Sequence, residues 1–238
     1  MPAQPLEAVI FDVDGTLFDS ERDGHRVAFN LAFTAMGLPD RWDVATYGRL
    51  VKITGGVQRL TRWFEASGHS VADAGRLAIE THRRKTTFIQ DIVASGAIQP
   101  RKGAPELVHA IRAAGVPVHV ATTGTRAWVE PLLASAFGGC FDVVMTGTEV
   151  ADLKPSPLVY REVLLRAGCD PARTVAIEDS ANGLISATGA GLRCILARND
   201  YTREDATAGA IIVTDELYGP EVRTWFEHRL TMPGRSCG

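Results

Sequence analysis

The sequence contains no apolar run approaching the roughly 20 residues needed to cross a bilayer, and its opening, Met1-Pro2-Ala3-Gln4-Pro5, lacks the charged and apolar regions of a secretory signal. It carries little excess charge: 25 lysines and arginines against 28 aspartates and glutamates leave a formal net charge of -3, which gives no overall reason to expect nucleic acid. Cysteine is scarce. Cys140, Cys169, Cys194 and Cys237 are scattered without metal-type spacing, so reduced thiols are expected rather than a disulfide framework. Cys194, inside a strand-like run, reads as core packing. There is no internal repeat. The expectation is a cytoplasmic globular protein with neither a membrane nor a nucleic-acid partner. At 238 residues and 45% hydrophobic, the chain can bury a sizeable core, as one domain or as a core with an insertion.

Chemistry is concentrated at the ends of apolar runs. Ala8 to Phe11 leads into Asp12-Val13-Asp14-Gly15-Thr16-Leu17. In extended backbone, alternate side chains point the same way, so Asp12 and Asp14 leave a strand on one side and repel unless a cation lies between them. A hard divalent ion answers that need, and Mg²⁺ favours one or two carboxylates plus substrate phosphate oxygens. Gly15 permits a sharp turn just past the strand. Val116 to Ala121 ends in Thr122-Thr123-Gly124, hydroxyls and flexible backbone fit to cradle phosphate oxygens. Lys154-Pro155-Ser156-Pro157 offers a cation on stiff backbone before a helical pattern. Val175 to Ile177 runs into Glu178-Asp179-Ser180, a second acid pair, with Ser180 placed to cap the next helix.

Strand patterns at Ala8 to Phe11, Val116 to Ala121, Phe141 to Met145, Val175 to Ile177, Arg193 to Leu196 and Ala210 to Val213 alternate with helical patterns. The helical patterns are Pro105 to Ala114, Arg126 to Phe137, Pro157 to Ala167 and Ser180 to Thr188. This alternation predicts an α/β fold, a Rossmann-like doubly wound parallel sheet with helices on both faces. Ligands of such sheets sit beyond the carboxyl ends of the strands, where all four motifs fall. Residues 18–97 break the alternation and read as almost entirely helical. Ser20 is expected to cap a helix carrying Val27, Leu31 and Met36, stopped by Gly37 and Pro39. A second contains Leu60, Trp63 and Phe64 and closes at Gly68. A third carries Ala74, Leu77, Ala78, Thr81, Lys85, Phe88, Ile89 and Ile92. The predicted organisation is a core of residues 1–17 and 98–230, a helical insertion of 18–97 and a disordered tail of 231–238. Lys52, Arg59, Arg62, His82, Arg83, Arg84 and Lys85, with the loop Thr54-Gly55-Gly56, make the insertion a candidate binding region for a second phosphate.

Taken in order, these motifs resemble the haloacid dehalogenase superfamily of phosphohydrolases over nearly the whole chain. The resemblance implies that Asp12 is the nucleophile that becomes an aspartyl phosphate and that Asp14 is the general acid and base. Thr122 and Lys154 would hold phosphoryl oxygens. Asp12, the main-chain carbonyl of Asp14, Glu178 and Asp179 would bind Mg²⁺. The insertion matches the family's helical cap, whose closure excludes water and selects what fits.

Thr54-Gly55-Gly56, His82-Arg83-Arg84-Lys85-Thr86, Glu178-Asp179-Ser180-Ala181-Asn182-Gly183-Leu184 and Gly189-Ala190-Gly191-Leu192-Arg193-Cys194 sharpen the likeness to CbbY-type phosphatases. Those enzymes are associated with the Calvin cycle and dephosphorylate xylulose-1,5-bisphosphate. The implied partner is a small phosphorylated sugar, met by Glu21, His25, Gly55, Gly56, Arg59, Lys85 and Thr123, in a monomer or weak dimer. Two features depart from the pattern. Val57 stands where the family has a basic residue, and the interval from the acid pair to His25 is one residue longer. Two other readings share the motifs: a β-phosphoglucomutase-like isomerase, and a non-catalytic phosphosugar-binding regulator.

Overall fold

The computed structural model describes residues 5–230; the tail predicted over 231–238 lies outside them. Within these, two compact units emerge, residues 5–18 with 100–230, and Asp19–Gln99. In the first, six parallel strands run β1 (Ala8–Phe11), β2 (Val118–Ala121), β3 (Val143–Met145), β4 (Thr174–Glu178), β5 (Arg193–Ala197) and β6 (Ile212–Thr214). Their order is β3-β2-β1-β4-β5-β6, the doubly wound arrangement, which reverses direction beside β1. Phe11 pairs with Ile177 of β4 and Val120 of β2. The residues just past β1, β2 and β4 are thereby brought side by side. Val9, Ile10 and Phe11 are fully buried, each such side chain contributing about 1.5–3 kcal/mol. The predicted strands at Val116, Phe141 and Ala210 begin two residues later in the structure. Apolar character marked the run, but the ladder starts only where a neighbour is in register.

The second unit is all helical: α1 (Arg26–Ala35), α2 (Val44–Leu50), α3 (Gly56–Ala66) and α4 (Val71–Ala94), preceded by a π-helical turn over Glu21–His25. Ser20 does not open an α-helix as expected. Its dihedrals, φ -61 and ψ -28, are already helical, whereas a capping residue needs extended geometry. The π turn takes up one more residue than an α turn. Gly24 suits this turn because a Cβ there would lie 2.6 Å from Ile98 Cδ1. Phe29 and Phe33 pack on Trp42, with ring centroids 4.8 and 5.0 Å apart. Asn30 ties down the Trp42 backbone, its amide donating to the carbonyl and accepting from the N–H, both at 2.8 Å. Ser70 caps α4, accepting from the Asp73 N–H at 3.2 Å. Ala74, Ala78, Thr81, Lys85 and Ile89 form its buried stripe.

The first unit is completed by α5 (Ala104–Ala113), α6 (Arg126–Phe137), α7 (Leu158–Ala167), α8 (Ala181–Gly189) and α9 (Pro220–Glu227). Val159, Tyr160 and Val163 of α7 and Leu184 and Ala187 of α8 pack with Ile10, Ala176 and Cys194 from the sheet. Cys194 is thus core packing, and Cys140, Cys169 and Cys194 are free thiols. No helix among the described residues is long and apolar enough to cross a membrane.

Candidate active site

The acidic motifs meet because backbone pairing continues past the strands. Asp12 N–H donates to the Ile177 carbonyl at 3.0 Å, placing Asp12 beside Glu178 and Asp179. Oxygens of these three buried carboxylates lie within 4.8 Å of one another. Thr122 N–H donates to the Met145 carbonyl at 3.0 Å, bringing the end of β2 to the same edge. The buried Thr122 hydroxyl accepts from the Gly124 N–H at 3.0 Å, and Thr123 beside it is half-buried.

Lys154 enters from the segment before α7 and uses its three donors on Asp12 Oδ1 at 2.6 Å, Glu178 Oε1 at 2.6 Å and the Ala121 carbonyl at 2.8 Å. The Tyr160 hydroxyl also donates to Glu178 Oε1, at 2.6 Å, and the Lys154 ammonium lies 5.1 Å from the Tyr160 ring centroid. Gly183, in the first turn of α8, leaves room for Glu178; a Cβ there would sit 1.9 Å from Oε2. Ser180 caps α8 as expected, accepting from the Gly183 N–H at 3.2 Å.

Electrostatics show what this cluster lacks. Burial raises Asp12, which Lys154 counters and Asp14 reinforces. Burial pushes Glu178 up to about 7 despite Lys154. Burial, with Asp12 and Glu178 nearby, lifts Asp179 well above the usual carboxylate range. Burial opposes the charge of Lys154, but Asp12 and Glu178 outweigh it and raise its pKa. The buried carboxylates are short of positive charge, and an all-oxygen donor set of this kind fits a hard divalent cation. Asp14 is not among these clustered carboxylates. It is half-buried at the bend, where Gly15 takes φ +78 and its N–H donates to the Phe18 carbonyl at 2.7 Å.

In the helical unit, the Tyr47 hydroxyl donates to Glu21 and accepts from Arg59 at 2.9 Å. Arg59 also donates to the Val51 and Ile53 carbonyls at 3.2 Å each, so much of its guanidinium is engaged within the unit. Lys85 Nζ lies 2.8 Å from His25 Nδ1. Burial and then the Lys85 charge depress His25 to about 3, so the ring is neutral and accepts from the ammonium at Nδ1. Gly55, at φ +89, and Gly56, expected in a loop, instead open α3, with the His82 ring close above Gly56. The basic run is not one surface: Arg83 and Arg84 both pair with Glu80, at 2.7 Å, as solvated helix-face charges. Tyr47, Tyr160, Arg101 and Asn199 were not singled out in the sequence.

A doubly wound sheet carrying an acid pair after β1, a hydroxyl after β2, a buried lysine and a second acid pair after β4 defines the class. The haloacid dehalogenase-like hydrolase profile matches residues 6–191, and the chain belongs to that family. Within it the chain is a phosphatase of the CbbY type, 42% identical to protein CbbY of Cereibacter sphaeroides over 89% of this chain and 93% of that protein. The crystal structure of CbbY from Rhodobacter sphaeroides in complex with phosphate superposes with a TM-score of 0.78 at 40% identity, covering 90% of this chain and 95% of that one. A mutant of the same protein in complex with xylulose-(1,5)bisphosphate matches with a TM-score of 0.78 at 39% identity, over 90% and 95% of the two chains.

Proposed function

We propose that this phosphatase hydrolyses a small sugar bisphosphate, with xylulose-1,5-bisphosphate the first candidate, through transient phosphorylation of Asp12 and with Mg²⁺ as cofactor. The observation that carries the reading is the buried Asp12 carboxylate gripped at Oδ1 by Lys154 at 2.6 Å beside two further carboxylates. The ammonium lets this anion face a phosphate ester, and the second carboxylate oxygen attacks phosphorus as the ester P–O bond breaks. Asp14 protonates the departing alkoxide, then takes a proton from the water that attacks the phosphorylated Asp12. Phosphate leaves and the carboxylate is restored. Thr122, Thr123 and Lys154 hold the transferring oxygens. Asp12, Glu178, Asp179 and the Asp14 carbonyl would hold the Mg²⁺, which supplies charge neutralisation on the phosphoryl group.

Glu21, His25, Gly55, Gly56, Arg59 and Lys85 are the proposed contacts to the rest of the sugar, and the helical unit acts as the cap. The neutral His25 ring accepts from Lys85 at Nδ1, which holds the two side chains together as one proposed contact to the sugar. The test is a panel of phosphorylated sugars incubated with the purified protein and Mg²⁺. Release of phosphate from xylulose-1,5-bisphosphate that vanishes in chelator and in Asp12→Asn is expected. Turnover retained by folded Asp12→Asn refutes the mechanism. Conversion of β-glucose 1-phosphate to glucose 6-phosphate without free phosphate refutes hydrolysis as the main activity.

A further inference from the structure

Asn199 lies two residues past the end of β5, on the carboxyl edge of the sheet, in a loop whose own hydrogen bonds fix it. Its backbone N–H donates to the Thr202 hydroxyl at 3.0 Å, the Thr202 N–H donates back to its carbonyl at 3.2 Å, and the preceding Arg198 N–H donates to the Thr214 carbonyl at 2.8 Å. The side-chain oxygen accepts from the Tyr201 N–H at 2.8 Å. Because that partner is only a donor, the amide orientation follows from the network. The nitrogen is then the atom facing the catalytic edge. It donates to Asp179 Oδ2 at 2.7 Å and to the Gly15 carbonyl at 3.2 Å.

We propose that Asn199 is a positioning residue that orients the carboxylate of Asp179 for the metal and ties it to the turn that follows Asp12 and Asp14. This rests on the reading of the acidic cluster as the metal site. Two observations and one physical argument converge on it. The Gly15 turn, Asp179 and Asn199 are in mutual contact: a Cβ at Gly15 would fall 2.2 Å from Asp179 Oδ2 and 2.6 Å from Asn199 Nδ2. The same Gly15 carbonyl accepts from buried Arg101, whose guanidinium also donates to the carbonyls of Ala197 and Arg198 at 2.9 and 2.8 Å. The loops after β1 and β5 are therefore fastened together around Asp179. Finally, an amide held at one carboxylate oxygen fixes the plane of the group and presents the other oxygen in one direction. Partners of this kind behind a metal ligand are worth about 10- to 100-fold in metal affinity.

The test is Mg²⁺ binding to full-length protein by titration calorimetry, alongside the Mg²⁺ dependence of p-nitrophenyl phosphate hydrolysis and thermal melting in chelator. Asn199→Ala should raise the Mg²⁺ dissociation constant about 10- to 100-fold, leave kcat at saturating metal within a few-fold, and melt near the wild type when metal-free. A merely structural role moves the melting temperature and not the metal constant. Thr202→Val, which loosens the Asn199 loop without touching a carboxylate, should weaken Mg²⁺ in the same direction by a smaller factor, and it decides the matter if Asn199→Ala fails to fold. Unchanged Mg²⁺ affinity in a folded variant, with wild type binding normally, overturns the role of Asn199 alone. A wild type that binds no Mg²⁺ overturns this inference together with the metal site.

Discussion

Replacing Lys154 by methionine removes the ammonium that stands between two buried carboxylates. Lys154 Nζ is 2.6 Å from both Asp12 Oδ1 and Glu178 Oε1, and the three side chains are 6%, 7% and 1% exposed. At an effective dielectric of about 20, each contact is worth about 6 kcal/mol of gross attraction. Desolvating the three charges offsets most of that, and breaking a buried pair by deleting one partner costs about 3–5 kcal/mol. Lys154→Met should therefore destabilise the metal-free protein by about 3–5 kcal/mol at pH 7 in urea unfolding. The cost arises from buried carboxyls left without their cation, which either stay charged at a penalty or must take up protons, rather than from lost packing. Lys154→Met combined with Glu178→Gln should recover about 1–3 kcal/mol relative to the sum of the single changes, because one stranded carboxylate is gone while the Tyr160 hydroxyl still has an oxygen to meet. Single changes that simply add, or a Lys154→Met variant within 1 kcal/mol of wild type, would refute the reasoning.

Three other outcomes follow from the geometry. Gly183→Ala pushes a methyl to 1.9 Å from Glu178 Oε2; thermal melting should show about 1–3 kcal/mol lost to overpacking, with weakened hydrolysis, and a variant of wild-type stability would contradict the packing. His25 is depressed from 6.5 to about 3, so below pH 6.5 the unfolded chain takes a proton that the folded ring refuses. Its contribution is intact above pH 6.5 and shrinks by up to about 1.4 kcal/mol per pH unit as pH falls toward 3. Denaturant unfolding should show wild type losing more stability than His25→Asn between pH 6.5 and 4.5, and parallel losses would contradict it. Lys85→Ala should raise KM for a bisphosphate at least tenfold more than for p-nitrophenyl phosphate; equal increases would show that Lys85 does not meet the second phosphate.

The chemistry was readable where residues close in sequence share a strand end. Asp12, Thr122, Glu178 and Asp179 each follow an apolar run, and parallel pairing was enough to bring them to one edge. Lys154 carried a weaker local signal, since its partners, Asp12 and Glu178, are 142 and 24 residues away. Tyr160 reads as one more apolar position of α7, because what its hydroxyl meets depends on how the helix packs over β4. Asn199 and Arg101 act on the Gly15 carbonyl from 184 and 86 residues away. No periodicity encodes that. Two helices were passed over despite local cues: α2 is poor in strong helix formers yet follows Asp43, which accepts from the Thr46 N–H at 2.7 Å, and α9 starts at Pro220 directly after Gly219. The π turn at Glu21–His25 depends on tertiary support, Gly24 fitting against Ile89 and Ile98.

The central claim is that phosphoryl passes through the carboxylate of Asp12. Crystals grown with Mg²⁺ and beryllium fluoride, a mimic of an aspartyl phosphate, test it most directly. Beryllium bonded to an Asp12 carboxylate oxygen, with its fluorines reached by Thr122 and Lys154, is the expected result. Beryllium fluoride bonded to any other residue, or absent from Asp12 when the metal is present, would contradict it.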